Sequence, residues 1–289
     1  MCSKFPTFAD LGKDCRDLFS KCYHVGLFKI IAKNETCHGV EVKATGTHKI
    51  EDKTAVGDVE MKACYPIPGL CSVHNWDTEN NLKSEVSMKN VFPGGKVSVF
   101  GRLQPDTVTY GGGIKLNYTH PKFLLDADVD SGNLGSEESN PVVGASVVTG
   151  YAGLVAAYRG KYDTVTGDLT ANDAALAYVT RDYGLTLLYD NLTILNGFYF
   201  HRVNRDVELG VHAKLLGEEG ATFLAIGGKY TFSGFGHTLR AKVNNDSILG
   251  LGVELKILQG FHACASADVD MKVFAAGPHK IGFGLEFGC

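Results

Sequence analysis

No run of about eighteen apolar residues occurs among the 289 of this chain, which excludes a membrane-crossing helix. The opening segment, MCSKFPTFADLGKDCRD, is charged almost at once and lacks the apolar core of a secretory signal, so the expectation is a chain outside the secretory route. Proline is scarce, at 8. The eight cysteines follow no regular framework, so reduced or incidental thiols are expected rather than structural disulfides. The triplets at Asn34, Asn117, Asn191 and Asn245 then read as unmodified accidents.

Catalytic signatures are missing too. No G-x-S-x-G, H-E-x-x-H or paired C-x-x-C is present. Gly250-Leu251-Gly252 lacks the later glycine and following helix of a dinucleotide fingerprint. Cys64, Cys71 and His74 have odd separations, which on one regular strand point neighbours to opposite faces; His262 and Cys264 share a face but make only two ligands. No enzyme, cofactor or metal centre is expected.

What the chain does have is alternation. In LRAKVNNDSILGLGVEL, Leu239, Ala241, Val243, Leu249, Leu251, Val253 and Leu255 take one face, and Arg240, Lys242, Gly250, Gly252 and Glu254 the other. Asn244 to Ser247 supply the turn. The same rule governs Val40 to Ala44, Val59 to Ala63, Lys96 to Leu103, Leu125 to Asp130, Val207 to Lys214, Phe261 to Asp270 and Lys280 to Phe287. Turn chemistry falls at 77–81, 93–95, 130–140, 204–206, 217–220 and 277–278. Gly is abundant, at 35, mostly inside these segments.

Charges on one face and apolar residues on the other, sustained through most of a long chain, suit a barrel with a lipid-facing outside and a watery inside. A mean hydropathy of -0.02 fits, because only alternate strand residues must meet lipid. One helix is expected, over Thr7 to Lys21, with Thr7 as its cap and Leu11, Cys15, Leu18 and Phe19 as an apolar stripe. It reads either as a solvated helix on a core or as a helix inside a pore. No composition shift marks a second domain, so the expected division is an N-terminal segment, 1–26, and a barrel, 27–289.

PTFADLGKDCRDLFSK, NWDTENNL, AKVNNDSILGLGVELK and HKIGFGLEF together resemble the mitochondrial voltage-dependent anion channel family, the eukaryotic porins, across essentially the whole chain. The resemblance implies an all-β transmembrane barrel of 19 strands, the first and last parallel, with the N-terminal α-helix inside the lumen. Removing the first 26 residues leaves 263, about 14 per strand with its turn. It also implies a voltage-dependent diffusion pore of the mitochondrial outer membrane, passing small ions, ATP, ADP and other metabolite anions. Hexokinase, Bcl-2-type regulators and a homo-oligomer are partners by resemblance only, beside membrane lipids; no nucleic acid is expected.

By the same resemblance, Lys13, Arg16 and Lys21 match basic positions associated with nucleotide passage, with Lys96, Lys115 and Lys242 as helpers on the wall. Each alone also reads as a solvated charge. Lys280, Gly282, Leu285 and Phe287 resemble the sorting signal of mitochondrial barrels.

Three departures from the family set further expectations. The hinge keeps Cys22, His24 and Gly26 where the family is glycine-rich, which predicts a stiffer link and weakened gating. His74, in phase with Leu70 and Trp76, replaces a membrane-facing glutamate, which puts carboxylate-dependent docking of hexokinase in doubt. Basic residues number 28 against 32 acidic, net -4. Asp126, Asp128, Asp130, Asp268 and Asp270 load the wet face with carboxylates, which predicts weak anion selectivity or cation preference. The competing readings are the related mitochondrial protein-import barrel and a soluble ligand-binding barrel.

Overall fold

The computed structural model describes residues 5–36, 39–132, 134, 140–217, 220, 222–234, 236–274, 277 and 279–288. Of the expected turns, residues 133, 135–139, 218–219 and 278 lie outside the described residues.

Nineteen strands make up the wall. They begin with β1 (Leu27–Glu35), β2 (Val40–Lys49), β3 (Thr54–Cys64), β4 (Leu70–Asp77), β5 (Leu82–Lys89) and β6 (Gly95–Gln104). There follow β7 (Thr109–Thr119), β8 (Phe123–Asp130), β9 (Val142–Tyr151), β10 (Leu154–Asp163), β11 (Leu169–Val179) and β12 (Tyr183–Asp190). The rest are β13 (Ile194–Arg202), β14 (Val207–Leu216), β15 (Thr222–Thr231), β16 (Thr238–Asn244), β17 (Ile248–Leu258), β18 (Phe261–Asp270) and β19 (Lys280–Gly288). Sequence neighbours pair antiparallel through short turns, as in β3 to β10 and β12 to β19. β1 pairs with both β2 and β19, in parallel with the latter, so the sheet closes on itself as a barrel. Closure leaves no strand edge, the condition for a sheet to stand in hydrocarbon.

Two compact units make up this chain: Met1–Ala9 with Lys33–Ala44 and Val56–Ala175, and Asp10–Ala32 with Thr45–Ala55 and Leu176–Cys289. In the first, the outer face carries Val59, Met61, Trp76, Val99, Ile114 and Val129, all exposed, while Ser98 and Ser146 are buried on the inner face. In the second, Leu209, Ile226, Leu239, Leu251, Ile281 and Phe283 are the exposed outer residues. Exposed apolar side chains in ranks of this kind have no solvent reason to exist; lipid supplies one. Aromatic residues sit near strand ends, among them Tyr151, Tyr183, Tyr189 and Tyr230, where barrels carry their interfacial girdles.

The turns are built by the side chains expected of them. Asp77 Oδ1 accepts from the amides of Glu79 and Asn81, at 3.0 and 2.9 Å, between β4 and β5. Asn204 Oδ1 accepts from the amides of Asp206 and Val207, at 2.8 and 2.7 Å, before β14. Between β16 and β17, Asn244 Oδ1 accepts from the Ile248 amide at 2.9 Å and Ser247 takes φ +66°. Asx turns of this kind satisfy backbone donors that the ladder leaves over.

Two expectations need correcting. The helix over Thr7 to Lys21 is broken: a 3-10 turn, Phe8–Asp10, precedes α1, Lys13–Ser20, and the break falls at Gly12, whose φ of +70° suits glycine. The cysteines are not all incidental thiols. Cys64 and Cys71 form a disulfide, and so do Cys22 and Cys264. The odd-separation rule failed because Cys64 and Cys71 occupy two strands, directly opposite in the β3–β4 register, not one.

Candidate pore wall and N-terminal segment

The apolar stripe of the N-terminal segment faces the wall: Leu11, just before α1, and Cys15 and Leu18 on it are buried, and the helix packs on β13, β14 and β15. Its close approach depends on glycine. A Cβ at Gly210 would lie 3.2 Å from Leu18, and one at Gly227 would lie 2.9 Å from the Phe19 ring. The Cys15 sulfur lies within hydrogen-bonding distance of the carbonyls of Tyr199 and Val211, and burial pushes its thiol up to about 11. Phe8, also buried, is held within the first unit: the Arg159 guanidinium stands 4.6 Å over its ring while donating to Asp173 through Nε and Nη2. This clamp escaped the sequence reading, because Arg159 and Phe8 are far apart in the chain and neither belongs to a motif.

Three of the basic residues nominated from the sequence, Lys13, Lys21 and Lys115, are paired with a carboxylate. Lys13 pairs with Asp10 at 3.1 Å and Lys21 with Asp17 at 2.7 Å, along the helix surface. The Asp10 carboxylate, by hydrogen bond and charge, raises the pKa of Lys13. The Arg16 carbonyl accepts from Ser20 Oγ at 2.8 Å. Lys115 meets Glu85 at 3.3 Å and stands 4.6 Å over the Phe100 ring. Lys96 stands in register between Lys89 and Asn117. Lys242 does something the sequence did not announce. Its Nζ donates to the Phe19 carbonyl at 3.0 Å, in the last turn of α1, and lies 3.9 Å over the Tyr23 ring. A cation at a helix C-terminus satisfies a leftover carbonyl and the dipole together.

The five aspartates lie on β8 and β18. Asp130 accepts from Arg102 at 2.6 Å, and Asp126 from Asn117 Nδ2 and Ser146 Oγ. Asp128 stands opposite Lys115 and Gly144. Asp268 and Lys242 flank Gly250 in register and, with Phe19, His212 and Phe223, border a cavity of about 170 Å³. Asp270 Oδ1 accepts from the Lys272 amide at 2.9 Å. Further inner-face pairs are Lys229 with Glu208 at 3.1 Å and Arg240 with Glu254 at 3.6 Å.

The hinge is docked, not loose. Cys22 is bonded to Cys264 of β18, Gly26 donates to the Ile281 carbonyl at 2.9 Å, and the His24 ring covers Gly284. Burial, then the charge of Lys29, lowers the pKa of His24. Burial pushes the Tyr23 phenol up to about 12. On β19, Lys280 pairs with Glu51 at 2.8 Å, a side chain at Gly282 would strike the His24 carbonyl, Leu285 opposes Ala263, and Phe287 stacks on Phe261 at 4.7 Å. His74 lies on the outer face with Trp76, its Nδ1 3.0 Å from Ser84 Oγ on the neighbouring strand.

A closed sheet with an apolar outside, a polar inside and a helix on its inner face is a transmembrane β-barrel of the porin kind. The profile of the family "Eukaryotic porin" matches residues 4–282. The chain is 36% identical over 282 residues to the "Voltage-dependent anion-selective channel" of Drosophila melanogaster, covering 97% of this chain and 98% of that one. It is 33% identical over 287 residues to the "Non-selective voltage-gated ion channel VDAC3" of Rattus norvegicus, covering 99% of each. Against the "Non-selective voltage-gated ion channel VDAC2" of Homo sapiens it is 32% identical over 282 residues, 97% of this chain and 94% of that one. The chain belongs to the eukaryotic porin family, a family of channels and not of enzymes.

Proposed function

We propose that this chain is a voltage-dependent diffusion pore of the mitochondrial outer membrane, passing small ions and metabolites such as ATP and ADP with little anion selectivity. The observation that carries the pore is the closed ring of strands with opposite faces of opposite polarity, in a chain whose full length matches named channels. The import-barrel reading is not favoured, since the relatives named above are channels.

The reduced selectivity rests on charge compensation. Lys13, Lys21, Lys115, Arg102, Arg159 and Lys229 each have a carboxylate within 3.3 Å. A paired cation attracts a passing phosphate less than a bare one does, and the aspartates of β8 repel it. Weak voltage closure follows from the docked hinge. In this reading residues 1–26 form the gating segment and 27–289 the channel wall. Lys280, Gly282, Leu285 and Phe287 serve import of the barrel. With His74 where the family carries a glutamate, carboxylate-dependent hexokinase docking is in doubt, and Bcl-2-type regulators and self-association are partners by resemblance only.

Planar-bilayer recording of the refolded chain in a KCl gradient tests this. The expected result is a large conductance, a reversal potential near zero or on the cation side, and poor closure at high voltage. Strong chloride preference would sink the selectivity claim, and no conductance from a folded barrel would sink the pore.

A further inference from the structure

We propose that Cys22 and Cys264 form a thiol–disulfide modification site that decides whether the C-terminal end of α1 is fixed to the barrel wall or free to leave it. Its consequence for gating rests on the pore reading above; the tethering itself does not.

The bond joins the link that follows α1 to the barrel wall. Cys22 follows Lys21, the residue that closes α1, and Cys264 is on β18, 242 residues away in sequence with a Cα–Cα distance of 5.8 Å. Backbone pivots lie on either side: Lys21 is extended at ψ 137°, Cys22 has φ +66° and Gly26 φ +72°. Short-range bonds brace the link from within: the Lys21 amide donates to the Asp17 carbonyl at 3.0 Å, the Tyr23 amide to the Ser20 carbonyl at 3.4 Å and the Leu27 amide to the His24 carbonyl at 2.9 Å. The other described contacts on this segment are non-covalent, among them the Lys242 to Phe19 hydrogen bond, the Lys242–Tyr23 contact, the Gly26 amide on Ile281, the Ile50 amide on the Gly26 carbonyl and the His24 ring over Gly284. Among the described residues the disulfide is the one covalent tie on it, and it forbids release outright.

The second disulfide has no such effect. Cys64 and Cys71 are already opposed by the β3–β4 ladder, at a sequence separation of 7, so cutting that bond frees no segment. Cys15 does not compete as a partner, because it is buried and its thiol stays protonated near neutrality. A wide pore lets small thiols of the glutathione type reach Cys264, which is only half-buried. Disulfides bathed by such thiols are typically transient and regulatory.

The chemistry balances without the protein supplying electrons. A small thiolate attacks the Cys264 sulfur, the Cys22–Cys264 bond breaks, and Cys22 leaves as a thiolate that takes up a proton. A second small thiol attacks the mixed disulfide at the small-molecule sulfur, releasing the oxidised small-molecule disulfide and the Cys264 thiol. One disulfide gains two electrons and two protons; two small thiols lose them.

The test uses the full refolded chain carrying Cys64→Ser and Cys71→Ser, so that Cys22–Cys264 is the disulfide being read. Samples equilibrated with reduced or oxidised glutathione are alkylated with N-ethylmaleimide, mapped by peptide mass, digested briefly with trypsin and recorded in planar bilayers. Expected are blocked Cys22 and Cys264 after oxidation, labelling of both after reduction, tryptic cleavage after Lys21 at least tenfold faster when reduced, and stronger voltage closure when reduced. Adding Cys264→Ser should lock the reduced behaviour and abolish the response. Equal cleavage in the two states, or an unchanged response in the Cys264→Ser chain, overturns the tether. If that variant fails to fold, reoxidation of the same reduced sample must restore protection, and failure to do so has the same force. Redox-dependent cleavage with no conductance would keep the tether and remove the pore.

Discussion

Gly210 on β14 and Gly227 on β15 stand directly opposite each other, and Leu18 of α1 rests on both. The pair leaves a shallow seat in the wall where any side chain would hold the helix away. Gly227→Val puts carbon where the Phe19 ring and the Ala241 carbonyl, 2.9 and 3.2 Å from a Cβ, already are. Overpacking of this order costs about 1–3 kcal/mol. The expected outcome is a lower melting temperature in detergent and faster tryptic cleavage at Lys13 and Arg16, with the barrel ladder intact by circular dichroism.

Lys242 is expected to act as a holder of the helix more than as a toll for phosphate. Lys242→Met keeps the aliphatic stem but loses the bond to the Phe19 carbonyl and the contact with Tyr23, an effect of about 1–3 kcal/mol on docking. Hydrogen exchange at residues 19–26 should rise. Lys13→Met, at an exposed pair, should leave exchange at the same amides unchanged. Equal effects of the two substitutions would contradict the assignment.

The aspartates of β8 predict a direction of selectivity. Replacing Asp126, Asp128 and Asp130 together by Asn removes three negative charges and leaves Arg102 without its carboxylate. The reversal potential in a KCl gradient should move to the anion side. An unmoved potential would mean that selectivity is set elsewhere.

His24 predicts a pH dependence of linker docking. Its folded pKa lies below the ordinary 6.5, from burial first and Lys29 second. Below about pH 6.5 the undocked state therefore binds the proton more readily, so docking is at full strength above that pH and weakens as pH falls. Protection of the amides at 24–27, taken relative to their intrinsic exchange rates, should fall between about pH 7 and pH 5, and His24→Gln should flatten that profile.

Much of the wall was legible because its rule is local. A strand that separates lipid from water must alternate, and Leu249 to Leu255 or Ile281 to Phe287 cannot do so by accident over so many repeats. The turns were legible for the same reason: Asp77 and Asn204 act on amides two to four residues away. The contacts of the N-terminal segment were not. Cys22 finds Cys264, Lys242 finds Phe19 and Arg159 finds Phe8 only after the strands between them have paired. The basic helix residues show the same limit. Their types were visible, but their carboxylate partners depend on where Gly12 ends the first turn and starts the second.

The sequence by itself determined the class of wall, the chemistry of its two faces and the family, because solvent polarity acts on each residue where it stands. Only the tertiary structure decided where the helix sits, which charges are neutralised and which cysteines bond. Those outcomes depend on distances between residues that the chain does not place side by side, and closing the sheet is what sets them.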